Sequence, residues 1–156
     1  MTTVGRCLVV SPGDGRLIDL GDFEMRVKAD ADGTGGVVSV LEATEPPGFG
    51  PPDHVHDDSA EAFYVLDGEY VMRLDGDEVR CPAGSFVFIP VGVPHGFRVG
   101  DVPSRKLNFY FPAAMIGYFD ALAAALARAD VTEGELAAIA QAHRMQIIGP
   151  PSERYV

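Results

Sequence analysis

Three histidines and one glutamate stand at spacings that suit a metal site: His54, His56, Glu61 and His95. On an extended segment, residues two apart point to the same side, so His54 and His56 can face one ion. Glu61 follows a polar, turn-like stretch, and a chain reversal there would bring its carboxylate to the same centre. His95 follows a Pro/Gly turn after an apolar strand that can deliver it to the same cavity. We predict that these four residues hold one metal ion.

The donor set limits which metal the site would hold. Three imidazoles and a carboxylate suit Fe(II), Mn(II), Ni(II), Co(II) or Zn(II) rather than calcium or Cu(I). Four protein ligands leave positions open on an octahedral ion for substrate, O2 or water. The histidines must be neutral to bind the ion, so acid should weaken binding. A carboxylate that swings off the ion can accept a proton, so we predict Glu61 as a ligand and as the catalytic base.

Short strands must position these residues. The chain has 18 Gly and 12 Pro, which separate short runs rich in Val, Phe, Tyr and Ile. Asp75 and Gly76, between two such runs, form the strongest short-range hairpin signal in the chain. We predict strands over 37–42, 62–66, 70–74, 78–81, 85–89 and 106–111. Residues 1–112 are therefore predicted to form one all-β barrel, with a metal-binding core over 48–99.

The C-terminal part of the chain, 113–156, has a helical pattern. Apolar residues recur at helical spacing over 113–128, which predicts an amphipathic helix. Thr132 and Glu135 form a capping-box pattern ahead of a second predicted helix over 133–143. An apolar helix stripe needs a partner surface, so we predict that both helices pack on the barrel.

Charge and composition exclude several classes of partner. The formal net charge is -11, so the chain repels phosphate backbones and anionic membrane surfaces, and we predict no nucleic-acid or membrane partner. The two cysteines, Cys7 and Cys81, are far apart, which argues against a disulfide framework or a cysteine-based zinc site. The first residues lack a signal-peptide pattern and no run is long enough for a membrane helix, so we expect a cytoplasmic protein.

Glycines and prolines around the four ligands complete two motifs. The first has Gly48, five residues, His54-x-His56, four residues, Glu61, six residues and Gly68, and the second has Gly84, five residues, Pro90-x-Gly92, two residues and His95. These resemble the two conserved motifs of the cupin superfamily, separated by the short segment of 15 residues typical of compact microbial cupins. One position departs from the family pattern, since Val99 stands where an Asn is usual. That Asn is not a ligand, so the departure blurs only the subfamily.

The resemblance implies a single-domain jelly-roll β-barrel with a divalent transition metal. The segment beyond the barrel resembles the helix of quercetin-dioxygenase-like monocupins, in which the corresponding Glu is thought to contact the substrate hydroxyl. Cupins commonly pair through strands near the N-terminus. The resemblance therefore implies a homodimer, with 4–10 as a candidate exchanged strand.

The cavity around the ion is predicted to be aromatic. Alternation along the strands puts Phe63 on the face of Glu61 and Phe97 on the face of His95. The candidate substrate-pocket residues are Phe49, Phe63, Tyr70, Met72, Phe88, Phe97, Phe109, Phe111, Met115 and Phe119. Such a cavity would accept a flat or hydrophobic organic molecule, whereas a sugar nucleotide would need more basic and polar side chains.

Three functions fit these predictions. The leading hypothesis, which rests on the resemblance, is an O2-dependent dioxygenase acting on an aromatic or enolic small molecule, with Glu61 accepting the proton of its hydroxyl. The second is a non-redox polyketide cyclase or isomerase that uses the metal to polarise a carbonyl. The third is a non-catalytic cupin that binds a small molecule. The fold cannot decide among them, because one fold hosts many chemistries.

Overall fold

The computed structural model describes residues 2–149. The N-terminal elements are β1 (Thr2–Val4), β2 (Cys7–Val9), β3 (Leu17–Asp19), β4 (Glu24–Ala29), α1 (Ala31–Thr34) and β5 (Ser39–Glu45). The central elements are β6 (His54–His56), β7 (Ala60–Asp67), β8 (Glu69–Leu74), β9 (Asp77–Pro82), β10 (Phe86–Ile89), β11 (His95–Val99) and β12 (Ser104–Phe111). The last elements are α2 (Ile116–Leu126), α3 (Glu133–Ala142) and β13 (Met145–Ile147).

Two antiparallel sheets build the barrel. One has the strand order β10-β7-β12-β5-β4-β3 and the other β13-β6-β11-β8-β9, while β1 and β2 form a separate hairpin. Ring contacts join the two sheets, since Phe63 of β7 lies 6.0 Å from Phe97 of β11 between ring centroids. Strands distant in sequence are neighbours in both sheets. The architecture confirms the predicted all-β jelly roll followed by helices.

Each predicted strand corresponds to an observed one, with ends that differ by a few residues. The hairpin at Asp75 and Gly76 is confirmed: both have positive φ, 51° and 92°, and Leu74 pairs with Asp77 across the turn. Gly68 also has positive φ, 74°, and a side chain there would collide with Ser104. The turns therefore need the residues that the sequence places in them.

Leu122 of α2 and Leu136 of α3 share a core cluster with Met25 of β4, and α2 is shorter than the helix predicted over 113–128. It begins at Ile116, since Met115 adopts a left-handed conformation with φ 70°. The second helix begins after Thr132, whose side chain accepts a hydrogen bond from Glu135 N at 3.2 Å, as the capping pattern predicts. Among the described residues, no helix is long and apolar enough to cross a membrane.

The chain returns to the barrel after the helices, which the sequence did not predict. In β13, Met145 pairs with His56 and Ile147 with His54, so this part of 113–156 is a strand rather than a helix. Residues 150–156 of the same predicted segment lie outside the described residues. The candidate exchanged strand, 4–10, lies instead in the hairpin of β1 and β2 within one chain, and pairing between copies stays a prediction.

Candidate metal centre

The structure brings the four predicted ligands together on three strands. His54 and His56 bury their side chains on the same face of β6. His95 begins β11 and pairs directly with His54 in the antiparallel ladder. Glu61 is the second residue of β7, after the chain bends at 57–58. All four residues are buried, and their ligand atoms lie within 4.8 Å of one another.

Backbone carbonyls fix the orientation of two of the imidazoles. His54 Nδ1 lies 2.9 Å from the Pro52 carbonyl oxygen, and His95 Nδ1 lies 2.9 Å from that of Val93. A carbonyl only accepts hydrogen bonds, so each Nδ1 carries the proton. In the neutral rings, Nε2 then presents its lone pair to the cluster. Backbone carbonyls orient metal-bound histidines in this way.

A cation fits this arrangement. Glu61 Oε2 lies 2.9 Å from His56 Nε2 and 2.7 Å from His95 Nε2. With Nδ1 protonated, a neutral His95 meets this carboxylate acceptor to acceptor, a contact that needs a proton or a metal ion between the groups. The buried His56 Nδ1 has no hydrogen-bond partner among the described residues. The donor set suits a divalent transition metal.

The protonation states of the cluster residues favour a bound cation. Burial and the neighbouring histidines lower the pKa of His54 to about 4, so this ring is neutral at pH 7. Burial opposes ionisation of Glu61, but hydrogen bonds from His56 and His95 outweigh it and hold the pKa of Glu61 well below its usual value. Burial also lowers the pKa of His95, but the hydrogen bond and charge of Glu61 raise it overall.

Two polar residues that the sequence reasoning missed lie beside Glu61. Asn108 Nδ2 is 3.4 Å from Glu61 Oε1 and 3.5 Å from the Tyr110 hydroxyl. Burial, and then the charge of Glu61, raise the pKa of Tyr110 well above its usual value, so this hydroxyl keeps its proton. The buried Asn108 Oδ1 has no partner among the described residues, and Asn108 is one of the residues that line the cavity described next. It is an acceptor that a bound molecule could satisfy.

A cavity of about 590 Å³, including its mouth, lies against the cluster. Half of the predicted pocket residues line it: Phe49, Phe63, Phe97, Met115 and Phe119. Apolar residues that were not predicted complete the wall, among them Phe23, Met25, Tyr118 and Met145.

Two predicted pocket residues face inward without lining the cavity. Tyr70 and Met72 of β8 are fully buried in a core cluster with Val65 and Val99. The parity argument placed them on the correct face of the strand. The core fills the space around them, so a substrate would not touch them at this end of the barrel.

Three other predicted pocket residues, Phe88, Phe109 and Phe111, also lie outside the cavity lining. Phe88 is 55% exposed and Phe111 40% exposed, and Phe111 stacks on Phe109 with ring centroids 6.3 Å apart. On β12, Lys106, Asn108 and Tyr110 are the buried alternate residues. The prediction that Phe109 and Phe111 line the pocket is therefore wrong, because β12 turns Tyr110 inward and these two rings to the other face.

A second polar cluster lies in the cavity wall. Lys106 Nζ is 2.8 and 2.9 Å from the two carboxylate oxygens of Glu45, and the Tyr70 hydroxyl donates to Glu45 Oε2 at 2.6 Å. The ammonium also lies 4.3 Å from the ring centroid of Phe97. Both Glu45 and Lys106 line the cavity. Alternation alone does not find Lys106, because the pairing of Tyr110 with Glu61 across β12 and β7 decides which face of β12 points inward.

The two-sheet barrel and the buried three-histidine, one-carboxylate cluster define a small barrel with a site that could bind a metal. The family model described as "Cupin domain" matches residues 41–110. This range contains all four candidate ligands. Over residues 41–110, the chain is therefore similar to the cupin domain family.

Individual proteins resemble this chain in sequence or in fold. A quercetin 2,3-dioxygenase from Bacillus subtilis is 28% identical over 114 residues, which are 73% of this chain and 34% of that protein. The tetracenomycin polyketide synthase protein TcmJ from Streptomyces glaucescens is 29% identical over 91 residues, 56% of this chain and 60% of that protein. A solved structure from Thermotoga maritima, described as a predicted oxalate decarboxylase, shares the fold with a TM-score of 0.61 and 23% identity, over 67% of this chain and 99% of that one. The chain thus spans about a third to three fifths of these two curated relatives.

Proposed function

We propose that this protein is a metal-dependent enzyme, and that it is an O2-dependent dioxygenase acting on an aromatic or enolic small molecule. The observation that carries the proposal is that the buried His54, His56 and Glu61 line a cavity whose wall is largely aromatic. The similarity to a quercetin 2,3-dioxygenase supports the oxidative chemistry.

In this proposal His54, His56, Glu61 and His95 hold the ion. A bound divalent transition metal supplies Lewis acidity, and a redox-active one also exchanges electrons with O2. The carbonyls of Pro52 and Val93 keep the rings of His54 and His95 in place. These imidazoles therefore need little reorganisation when the ion binds.

Glu61 serves as the base in the proposed reaction. Its carboxylate is ionised, because His56 and His95 hold its pKa well below the usual value despite burial. Asn108 supports the other carboxylate oxygen at 3.4 Å, and Tyr110 keeps a protonated hydroxyl nearby. A substrate hydroxyl placed beside Glu61 can pass its proton to this carboxylate, and the buried surroundings limit competition from water.

A non-redox cyclase or isomerase is the second candidate. The similarity to a polyketide synthase protein supports it, because the same ligands and the same base could enolise a carbonyl compound without O2. In this alternative Glu61 removes a proton next to the carbonyl and returns it at another position. The cytoplasmic location and the homodimer stay predictions from the sequence.

Oxygen uptake by the reloaded protein tests the proposal. The chain is stripped with a chelator, reloaded separately with Fe(II), Mn(II), Ni(II), Co(II) or Zn(II), and mixed with quercetin or a β-diketone. We expect oxygen uptake with at least one redox-active ion, none with the His54→Ala variant, and wild-type rates with the control His143→Ala. Turnover of the same compounds with Zn(II) under nitrogen would contradict the dioxygenase and support the non-redox cyclase or isomerase. No turnover under any of these conditions would contradict the proposed enzyme.

A further inference from the structure

The segment just before His54 cannot be fixed by donating backbone hydrogen bonds at two of its positions. Pro51 and Pro52 have no backbone N–H, so their carbonyl oxygens must accept hydrogen bonds from side chains or from other segments. The Pro52 carbonyl is the one that orients His54, with its oxygen 2.9 Å from Nδ1. The placement of residues 51–53 therefore affects how the imidazole of His54 faces the cluster.

Arg73 of β8 contacts this segment on both sides of Pro52. Its Nε and Nη2 atoms lie 2.7 and 2.6 Å from Asp53 Oδ1. Nη2 also donates to the Pro51 carbonyl oxygen at 3.5 Å. A guanidinium has five N–H donors in one plane, so a single side chain can make these contacts together. Arg73 thus fixes the residue before Pro52 and the residue after it.

Gly96 of β11 provides the space for these contacts. It follows the candidate ligand His95 and pairs with Arg73 across β11 and β8. A Cβ atom at Gly96 would lie 2.2 Å from Asp53 Oδ1 and 2.6 Å from Arg73 Nη2. Any larger residue at this position would therefore have to displace the ion pair. The sequence leaves this part of β11 open for the contact between Arg73 and the segment 51–53.

Stability and charge give weak reasons for this ion pair. The side chains of Arg73 and Asp53 are 32% and 37% exposed, and ion pairs at such exposure contribute little to the free energy of unfolding. On charge alone, Arg73 disfavours a metal cation in the nearby cluster, because like charges repel. Its hydrogen bonds to residues 51–53 are the feature that can favour a metal centre.

We propose that Arg73 is a positioning residue of the candidate metal centre. Through Asp53 and the Pro51 carbonyl it holds residues 51–53, and the Pro52 carbonyl then holds His54 with Nε2 toward the ion. The inference rests on the metal centre of the proposed function and is independent of the reaction that the metal supports. It predicts that loss of Arg73 weakens metal binding, whereas loss of its charge alone would strengthen it.

The Zn(II) affinities of four proteins test this inference. They are the wild type, Arg73→Met, the double variant Asp53→Asn with Arg73→Met, and the control Arg80→Met. Arg80 is a matched control because it also forms an ion pair within the five-stranded sheet, with Glu69, and is 77% exposed. Competition with a chromophoric chelator gives each dissociation constant. The visible absorption of Co(II)-loaded protein reports the ligand geometry, and urea unfolding of the metal-free proteins gives their stability.

We expect Arg73→Met to bind Zn(II) about ten-fold or more weakly than the wild type, the usual effect of removing a group that orients a metal ligand. Its Co(II) spectrum should change, whereas its urea midpoint should match that of Arg80→Met. The double variant should bind as weakly as Arg73→Met, although its net charge equals that of the wild type, because the two residues act together. Arg80→Met should bind Zn(II) as the wild type does.

Three results would overturn the inference and leave the proposed function standing. The first is equal or tighter Zn(II) binding by Arg73→Met, and the second is wild-type affinity in the double variant. The third is a urea midpoint of Arg73→Met far below that of Arg80→Met, which would make the role of Arg73 structural. A wild type that binds no Zn(II) would instead refute the metal centre, and with it both the proposed function and the role of Arg73.

Discussion

Replacing Lys106 by methionine removes a buried positive charge while keeping most of the side-chain volume. The carboxylate of Glu45, 2% exposed, then has no cation beside it. Its described hydrogen-bond partners reduce to the Tyr70 hydroxyl, at 2.6 Å. The variant therefore measures the cost of an uncompensated charge in the wall of the cavity.

We expect the Lys106→Met variant to lose much of its free energy of unfolding. The size of the loss depends on whether the carboxylate of Glu45 is still present. Breaking a buried ion pair by removing one member destabilises a protein by about 3–5 kcal/mol. Removing both charges, as in Glu45→Gln with Lys106→Met, should cost about 2 kcal/mol or less, since no orphaned charge remains. For the exposed pair of Arg105 and Glu42, the double variant should change the free energy of unfolding by about 0–1 kcal/mol.

Urea unfolding followed by far-ultraviolet circular dichroism measures these differences. The chain has no tryptophan, so the secondary-structure signal is the suitable probe, and the midpoint and slope give the free energy of unfolding. We expect the single Lys106→Met variant to be the least stable of the set. If it is as stable as the surface control, or if the Glu45→Gln and Lys106→Met double variant is no more stable than the single one, the reasoning from an uncompensated buried charge is refuted.

Three further predictions concern the metal centre and the cavity. The turnover rate of the Glu61→Gln variant should be about 100-fold or more below that of the wild type, because the variant lacks the proposed base. Steady-state rates at saturating metal measure this difference. A rate within a few-fold of wild type would exclude Glu61 as the base. Affinity for Zn(II) should be full above the pKa of His95 and fall as the pH is lowered through it, because protons compete for the ring. Competition titrations with a chromophoric chelator measure this affinity. An affinity independent of pH between about pH 5 and pH 8, the range in which histidine titrates, would contradict the prediction. The Phe97→Ala variant should lose about 3–5 kcal/mol of its free energy of unfolding and bind flavonols more weakly. The Phe88→Ala variant should keep its flavonol affinity, because this ring is 55% exposed. A larger loss of flavonol affinity in Phe88→Ala than in Phe97→Ala would contradict the observed strand orientation.

The fold follows from local sequence signals to a large extent. Turn residues such as Asp75 and Gly76 and the alternation of apolar residues are local properties, so they predict strands that the structure contains. Thr132 likewise predicts the start of a helix through its own hydrogen bond. The strand Met145–Ile147 has too few residues for a periodic signal, and contacts distant in sequence stabilise it, namely its pairing with His54–His56 and the burial of Met145 in the core.

Some residues of the candidate site are likewise predictable from local sequence, whereas others depend on strand register. The spacing of His54, His56 and Glu61 is a local pattern, and the structure brings these residues together with His95. The inward face of Ser104–Phe111 depends on register, because alternation separates two faces without saying which one is buried. Tyr110 pairs with Glu61 across the sheet, and this long-range contact turns Lys106 inward.

Metal analysis of the purified protein tests the central claim most directly. Wild type, His54→Ala, His95→Ala and the control His143→Ala are stripped, reloaded with the same divalent ion, freed of excess ion and measured by mass spectrometry of the metal. The four-residue cluster predicts about one ion per chain in the wild type and in His143→Ala, with a large loss in the other two variants. A wild-type protein that retains no more metal than His54→Ala and His95→Ala would contradict the claim that these residues form a metal centre.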